Sequence, residues 1–201
     1  MVIYCMKFLR KYIEDKIEIN NEEWKRVSSL FTKKVYLKGE ELFSAGKVHK
    51  KVYYVSEGIL RMYMIDTQGK DITWGLNYHK DGKALDHFSG DYVSYLGKKE
   101  SDLFCEALCD TVVYIVDFET LNTLYESDLK WMRLGKIITD IQIVTLAERT
   151  KMMHRLIAKE KYLLMQNIAP IYEKILPDYQ FATVLGITPQ SLSRIKKQMK
   201  T

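Results

Sequence analysis

Apolar positions recur every three or four residues at the two ends of this chain and every second residue between them, and the change of period divides the sequence. Over residues 6 to 32, Phe8, Leu9, Tyr12, Ile13 and Ile17 are spaced for one helix face and Trp24, Val27, Leu30 and Phe31 for another, which predicts one or two amphipathic packing helices. From Lys33 the period shortens to two. In Val52 to Val55 and Leu60 to Ile65 side chains alternate between faces, with Arg61 and Tyr63 opposite Leu60, Met62 and Met64. Gly39, Gly46, Gly58 and Gly69 separate these short runs and no βαβ alternation appears, so an antiparallel sandwich or barrel is expected.

The helical period returns after Asp117. FETLNTLYES (118 to 127) predicts a short helix and residues 128 to about 158 a long one, whose Leu134, Ile137, Ile138, Ile141, Val144 and Met152 form a stripe that needs a partner. Its own β-domain or a second copy would cover it, and the two-fold contact is the expected one. Tyr162 to Gln166 and Ile171 to Ile175 predict another helix or two, broken at Pro170 and Pro177.

DYQFATVLGITPQSLSRIKK (178 to 197) carries the clearest chemistry. Phe181, Ala182 and Leu185 share one face of a short helix, Gly186 supplies a left-handed residue to end it, and Thr188-Pro189 reads as the N-cap and first turn of a second helix. Leu192 and Ile195 take the buried side of that helix. Gln190, Ser191, Arg194 and Lys197 remain on the other, with amide, hydroxyl and cationic groups suited to base edges and phosphates in a DNA major groove. A helical hairpin capping another domain would share the glycine but not the whole set of coincident positions.

Composition changes this picture little. The 201 residues, 47% hydrophobic and 28% charged, suit one large domain or two unequal ones. The opening MVIYCMKFLRKYIEDKIEI is apolar only briefly, resembling neither an export signal nor a membrane span, so a cytoplasmic protein without a membrane partner is expected. Cys5, Cys105 and Cys109 form no disulfide framework, and the last two, four apart in strand-like sequence, are expected on one face as small core residues. Charge is uneven. From Arg149 onward ten Lys and Arg stand against three acids, while the first 148 residues carry 21 basic and 23 acidic groups, so positive charge gathers where phosphates would be met.

Residues 77 to 99 read as the least regular stretch, glycine-rich and aromatic, expected either to border a small ligand or to form a surface loop with an apolar anchor. The four histidines (49, 79, 87 and 154) lack the HxH-plus-carboxylate spacing of a metal-dependent barrel enzyme. No nucleophile elbow, P-loop or dinucleotide fingerprint is present, so no enzyme is expected and no catalytic or metal-ligating residue is nominated.

In its order of β-domain, long helix and C-terminal helix-turn-helix, the sequence resembles the Crp/Fnr family of bacterial transcription regulators. The resemblance rests on LKGEELFSAG (37 to 46), YYVSEGILRMY (53 to 63), GKD (69 to 71), CEALCDTVVYIV (105 to 116), ERT (148 to 150) and LGITPQSLSRI (185 to 195). It implies an α+β protein with a cyclic-nucleotide-binding-like antiparallel jelly roll over 1–126, a dimerisation helix over 127–158 and a helix-turn-helix domain over 159–201. It also implies a homodimer that reads an inverted repeat in double-stranded DNA, and that meets RNA polymerase if it activates. Carried over by position, Thr188 and Ser191 touch phosphate, Pro189 and Gln190 open the recognition helix, and Arg194 points at a base. Members with a cyclic-nucleotide specificity often carry Arg-Glu after the cap, so Pro189-Gln190 implies a different operator.

The family's phosphate cassette, Gly-Glu followed ten residues later by Arg, becomes Gly90-Asp91 and Ser101 here. With the adjoining Tyr92 these are the ligand-site residues the resemblance nominates. Without the Arg a buried cyclic phosphate would lack its cation, so cyclic AMP is not the expected effector, and the effector's identity stays open. The family's iron–sulfur version needs four cysteines against three here, and its haem version needs an axial ligand such as the isolated His79 or His87, so neither cofactor is expected. The sequence ends soon after the recognition helix, so the β-wing that many members place there is not expected. The alternative reading is a ligand-binding module of the cyclic-nucleotide type whose C-terminal helices dock a protein.

Overall fold

The computed structural model describes residues 6–80 and 83–199, so Cys5, Gly82 and Lys200 lie outside the described residues. The chain forms two compact units, one of Met1–Met62 with Leu76–Asp140, the other of Tyr63–Gly75 with Ile141–Thr201.

In the first unit, helices α1 (Lys7–Glu14) and α2 (Asn21–Ser28) precede the strands. The sequence NNEE starts α2 through a reciprocal cap: Asn20 Oδ1 accepts the Glu23 N–H at 2.9 Å and Glu23 Oε2 accepts the Asn20 N–H at 2.8 Å. Then come β1 (Thr32–Tyr36), β2 (Glu41–Phe43), β3 (Lys51–Ile65), β4 (Asp71–Lys80), β5 (Lys83–Leu85), β6 (Phe88–Ser89), the short helix α3 (Tyr92–Gly97), β7 (Leu103–Ala107) and β8 (Thr111–Asp117). The strand order is β1-β8-β3-β4-β5, with β6 and β7 also on β3 and β2 on β7. The β1–β8, β2–β7, β3–β6, β3–β8 and β4–β5 pairs are all antiparallel. Helix α4 (Phe118–Ser127) follows directly, with the bounds that its sequence predicts.

Alternation along β3 sends Tyr53 and Val55 to a core between strands, with Leu60, Met62, Cys105 and Val113. Tyr54 turns the other way, to a core shared with Leu9, Ile13, Trp24 and Val27 of the N-terminal helices. Both faces of the strand are therefore covered. Farther along the strand Arg61, on the face opposite Leu60, is only 1% exposed and pairs with Glu106 at 2.9 Å.

Three expectations need correction. The stretch from residue 77 to 99 is more regular than its composition suggests, because β4 runs on to Lys80 and α3 forms over Tyr92–Gly97. Cys109 does not share a strand face with Cys105: β7 ends at Ala107, and Cys109 lies half-buried in the turn before β8. The long helix, α5 (Leu129–Arg155), divides its apolar stripe. Leu134 is 4% exposed and joins the core of α1 and α2, Ile137 and Ile138 pack against that core, and only Ile141 and Val144 of the nominated seam are exposed. On another face of α5, Met132, Ile143 and Leu146 are exposed at helical spacing.

The second unit holds the β3–β4 hairpin tip, the C-terminal half of α5, and helices α6 (Ala158–Ile168), α7 (Ile171–Ile175), α8 (Asp178–Leu185) and α9 (Pro189–Met199). Among the described residues no helix is long and apolar enough to cross a membrane.

Candidate nucleic-acid interface

Helix α8 stops where Gly186 takes φ +62°, the left-handed conformation that a Cβ disfavours, and a side chain there would also run into Met153. The turn is closed by the Gly186 N–H on Thr183 O at 3.1 Å and the Ile187 N–H on Ala182 O at 3.0 Å. Helix α9 then opens as its sequence predicts. Thr188 Oγ1 accepts the Ser191 N–H at 3.1 Å, and Pro189 fills the first position, where no N–H is needed.

Leu192 and Ile195 are buried, and Gln190, Ser193, Arg194 and Lys197 are exposed, two, five, six and nine residues from the Thr188 cap. With Pro189 these four line an open depression. The structure thus brings together Pro189, Gln190, Arg194 and Lys197 as nominated and adds Ser193, which sequence reasoning passed over. Its signal was the period, since 190, 193, 194 and 197 share one helical face. Ser191 lies to the side, half-buried, its hydroxyl 2.9 Å from that of Thr188, so both hydroxyls sit at the helix start beside the positive end of its dipole.

One lysine of α9 serves the fold. Lys196 reaches Glu173 at 2.9 Å and Asp178 at 2.5 Å, fastening α9 to α7 and α8, and these carboxylates raise its pKa against the lowering effect of burial. Glu173 also accepts hydrogen bonds from Tyr162 and Gln166 of α6. The face of Gln190, Ser193, Arg194 and Lys197 is therefore presented by a helix anchored on its opposite side.

The nominated ligand residues are arranged otherwise. Asp91 is 6% exposed; its Oδ1 accepts the Ser94 N–H at 2.9 Å, capping α3, and its Oδ2 accepts the Ser101 hydroxyl at 2.7 Å. Ser101 Oγ in turn accepts the Leu103 N–H at 3.0 Å, and Ser94 Oγ accepts the His49 N–H at 2.9 Å and donates to Lys99 O at 2.5 Å. Gly90 lets the chain pass close to Lys51, whose carbonyl oxygen would lie 2.9 Å from an added Cβ. Tyr92 is not drawn in; it is half-exposed and tilts over Phe118 with ring centres 5.4 Å apart. A buried carboxylate already engaged by Ser94 and Ser101 does not fit a cyclic phosphate anion.

The cysteines and histidines are not arranged as an iron–sulfur or haem ligand set. Burial pushes the Cys105 thiol up to about 12, far from a thiolate ligand, and Cys109 sits in a turn four residues on. His79 and His87 share an aromatic cage, each edge-on to the other at 5.5 Å, with Phe8 4.5 Å from His79 and Tyr54 stacked on His87 at 5.7 Å. Burial, then the neighbouring His79 and Lys16, hold His87 down at about 4, so it is neutral and packed as a ring. Among the described residues no group of three or more His, Cys, Asp or Glu is placed to hold a metal ion.

No family model matches the chain. The fumarate and nitrate reduction regulatory protein of Escherichia coli is 24% identical over 191 residues, covering 88% of this chain and 72% of that protein, and its namesake from Salmonella typhimurium matches to the same extent. Among solved structures, FixK2 from Bradyrhizobium japonicum superposes with a TM-score of 0.66 at 18% identity, over 85% of this chain and 84% of that one. A regulator assigned to the Crp/Fnr family from Eubacterium rectale gives 0.63 at 16% identity, over 90% and 84% of the two chains. CLP from Xanthomonas campestris, a c-di-GMP-responsive global regulator, gives 0.62 at 11% identity, over 90% and 92%. At such identities the superpositions speak for the fold alone.

Proposed function

We propose that the chain is a transcription regulator of the Crp/Fnr type, as its likeness to the fumarate and nitrate reduction regulators supports, and that it binds double-stranded DNA as a homodimer, with α9 lying in the major groove of each half-site. The observation that carries this reading is the exposed set Gln190, Ser193, Arg194 and Lys197 on a helix whose other side is fixed by Leu192, Ile195 and Lys196. Gln190 and Arg194 have the geometry for bidentate contacts to adenine and guanine edges, and Lys197 is placed for phosphate. Thr188 and Ser191, at the positive end of the helix dipole, suit a second phosphate. The protein acts in the cytoplasm, on DNA rather than as an enzyme. Its β-domain over 1–126 senses something other than cyclic AMP, α5 within 127–158 dimerises, and 159–201 reads DNA.

The dimer contact belongs on the exposed part of α5. Leu134, Ile137 and Ile138 face their own core, which leaves Ile141 and Val144, and Met132, Ile143 and Leu146 on the neighbouring face, for a second copy. Ile143→Glu should therefore yield monomers by light scattering, and a dimer of unchanged mass would move the contact elsewhere.

Selection from a random DNA pool by the purified protein tests the main reading. An enriched inverted repeat with half-sites about one helical turn apart, bound with a steep salt dependence, is the expected result. Enrichment of no sequence, with C-terminal helices that capture a protein instead, would favour the docking module.

A further inference from the structure

From Gln180 onward the first helix of the helix-turn-helix is covered all round. Gln180, Phe181, Ala182, Thr183, Val184 and Leu185 are all buried, although contact with α9 and α6 asks this only of the face bearing Phe181, Ala182 and Leu185. Something must lie against Thr183 and Val184. At Thr183 it is the end of the β3–β4 hairpin, which belongs to the same compact unit as α8 and α9. The Thr73 backbone N–H, in a residue 1% exposed, donates to Thr183 Oγ1 at 2.9 Å, and the Thr183 hydroxyl donates onward to Gln180 O at 2.7 Å. The next residue, Trp74, lies 5.0 Å from the Arg149 guanidinium, which stands on α5.

The tip is itself pre-formed. Asp66 Oδ1 accepts the N–H groups of Gln68 and Lys70 at 2.8 and 2.9 Å, and the Asp66 N–H bonds Lys70 O at 2.9 Å. A stiff turn thus places two consecutive residues against α8 and α5.

We propose that Thr73, Trp74, Arg149 and Thr183 are positioning residues for DNA recognition: the hairpin tip holds α8, and through α8 the presentation of α9, although none of the four lies on the α9 face. This rests on the DNA-binding reading above. The hydrogen bond matters more than the ring contact, because a backbone N–H buried without its acceptor is costly, whereas a half-exposed indole beside a guanidinium is a weaker tie.

The test compares Thr183→Val, Thr183→Ser and Trp74→Ala on the selected operator, at a temperature where circular dichroism shows all three folded. Thr183→Val keeps the shape and removes the acceptor. It should weaken operator binding by about fivefold to tenfold and speed hydrogen exchange at the Thr73 amide, with base preference and salt slope unchanged. Thr183→Ser restores the hydroxyl and should bind as wild type. Trp74→Ala should lose about threefold. Wild-type affinity in Thr183→Val despite faster exchange at Thr73 would overturn the proposal, as would unchanged exchange there. If the wild-type protein selects no DNA, the DNA reading itself has failed. The hairpin claim is then decided by exchange across α8 and α9, and equal rates in the Val and Ser variants would overturn it.

Discussion

Asp91, Ser94 and Ser101 in the β-rich unit and Gln190, Ser193, Arg194 and Lys197 on α9 are clusters of similar chemistry with opposite allegiance. In the first, each polar side chain is turned toward another part of the same fold: Asp91 takes two donors, Ser101 passes the chain on to Leu103, and Ser94 links His49 to Lys99. In the second, the groups face solvent, while the adjacent Lys196 is bound to Glu173 and Asp178. Residue type does not separate a binding site from a brace. The distinction is burial: a buried network satisfied by its own neighbours has little to offer a ligand, whereas groups on an exposed helix face can be reached by one.

The sharpest way to break the comparison is Asp91→Ala. Two buried donors would lose their acceptor, and urea titration should show the β-rich unit destabilised by about 2–4 kcal/mol. Operator affinity where the protein stays folded should change less than twofold. A stability loss below about 0.5 kcal/mol would mean the cassette is not a brace.

Acid should act on the same unit with a smaller effect. His87 is held at about 4 against an ordinary 6.5, so it contributes stability near neutral pH, and that contribution is lost as pH falls from about 6.5 towards 4, where the unfolded chain binds the proton more tightly. His87→Phe should flatten that part of the curve, and an unchanged slope would place the effect elsewhere. The smallest expected effect is none: cyclic AMP at millimolar concentration should leave the melting temperature where it is, whereas a rise of several degrees would show that the cassette opens to a phosphate.

Much of this was legible from local chemistry. Gly186 at positive φ, Thr188 as cap, Pro189 in the first turn and the bounds of α4 all follow from residues within one turn of each other. The features that escaped depend on partners far away in sequence. Lys196 reads as one more cation of a basic helix until Glu173, 23 residues earlier, is seen beside it. Nothing in the local sequence marks Thr183, whose partner Thr73 lies 110 residues away. Leu134, Ile137 and Ile138 look like a seam for a second copy because periodicity reports an apolar face and not its owner, and here α1 and α2 own it. Arg61 likewise sits where alternation offers solvent, but it is buried and pairs with Glu106.

The most direct test of the central claim is the base-preference profile of Arg194→Ala beside that of Lys197→Ala on the selected operator. Arg194→Ala should cost about 1–3 kcal/mol and relax preference at one position in each half-site, while Lys197→Ala should weaken all sequences alike and lower the salt slope by about one. If Arg194→Ala leaves both affinity and base preference intact, α9 does not read DNA and the exposed face serves another partner.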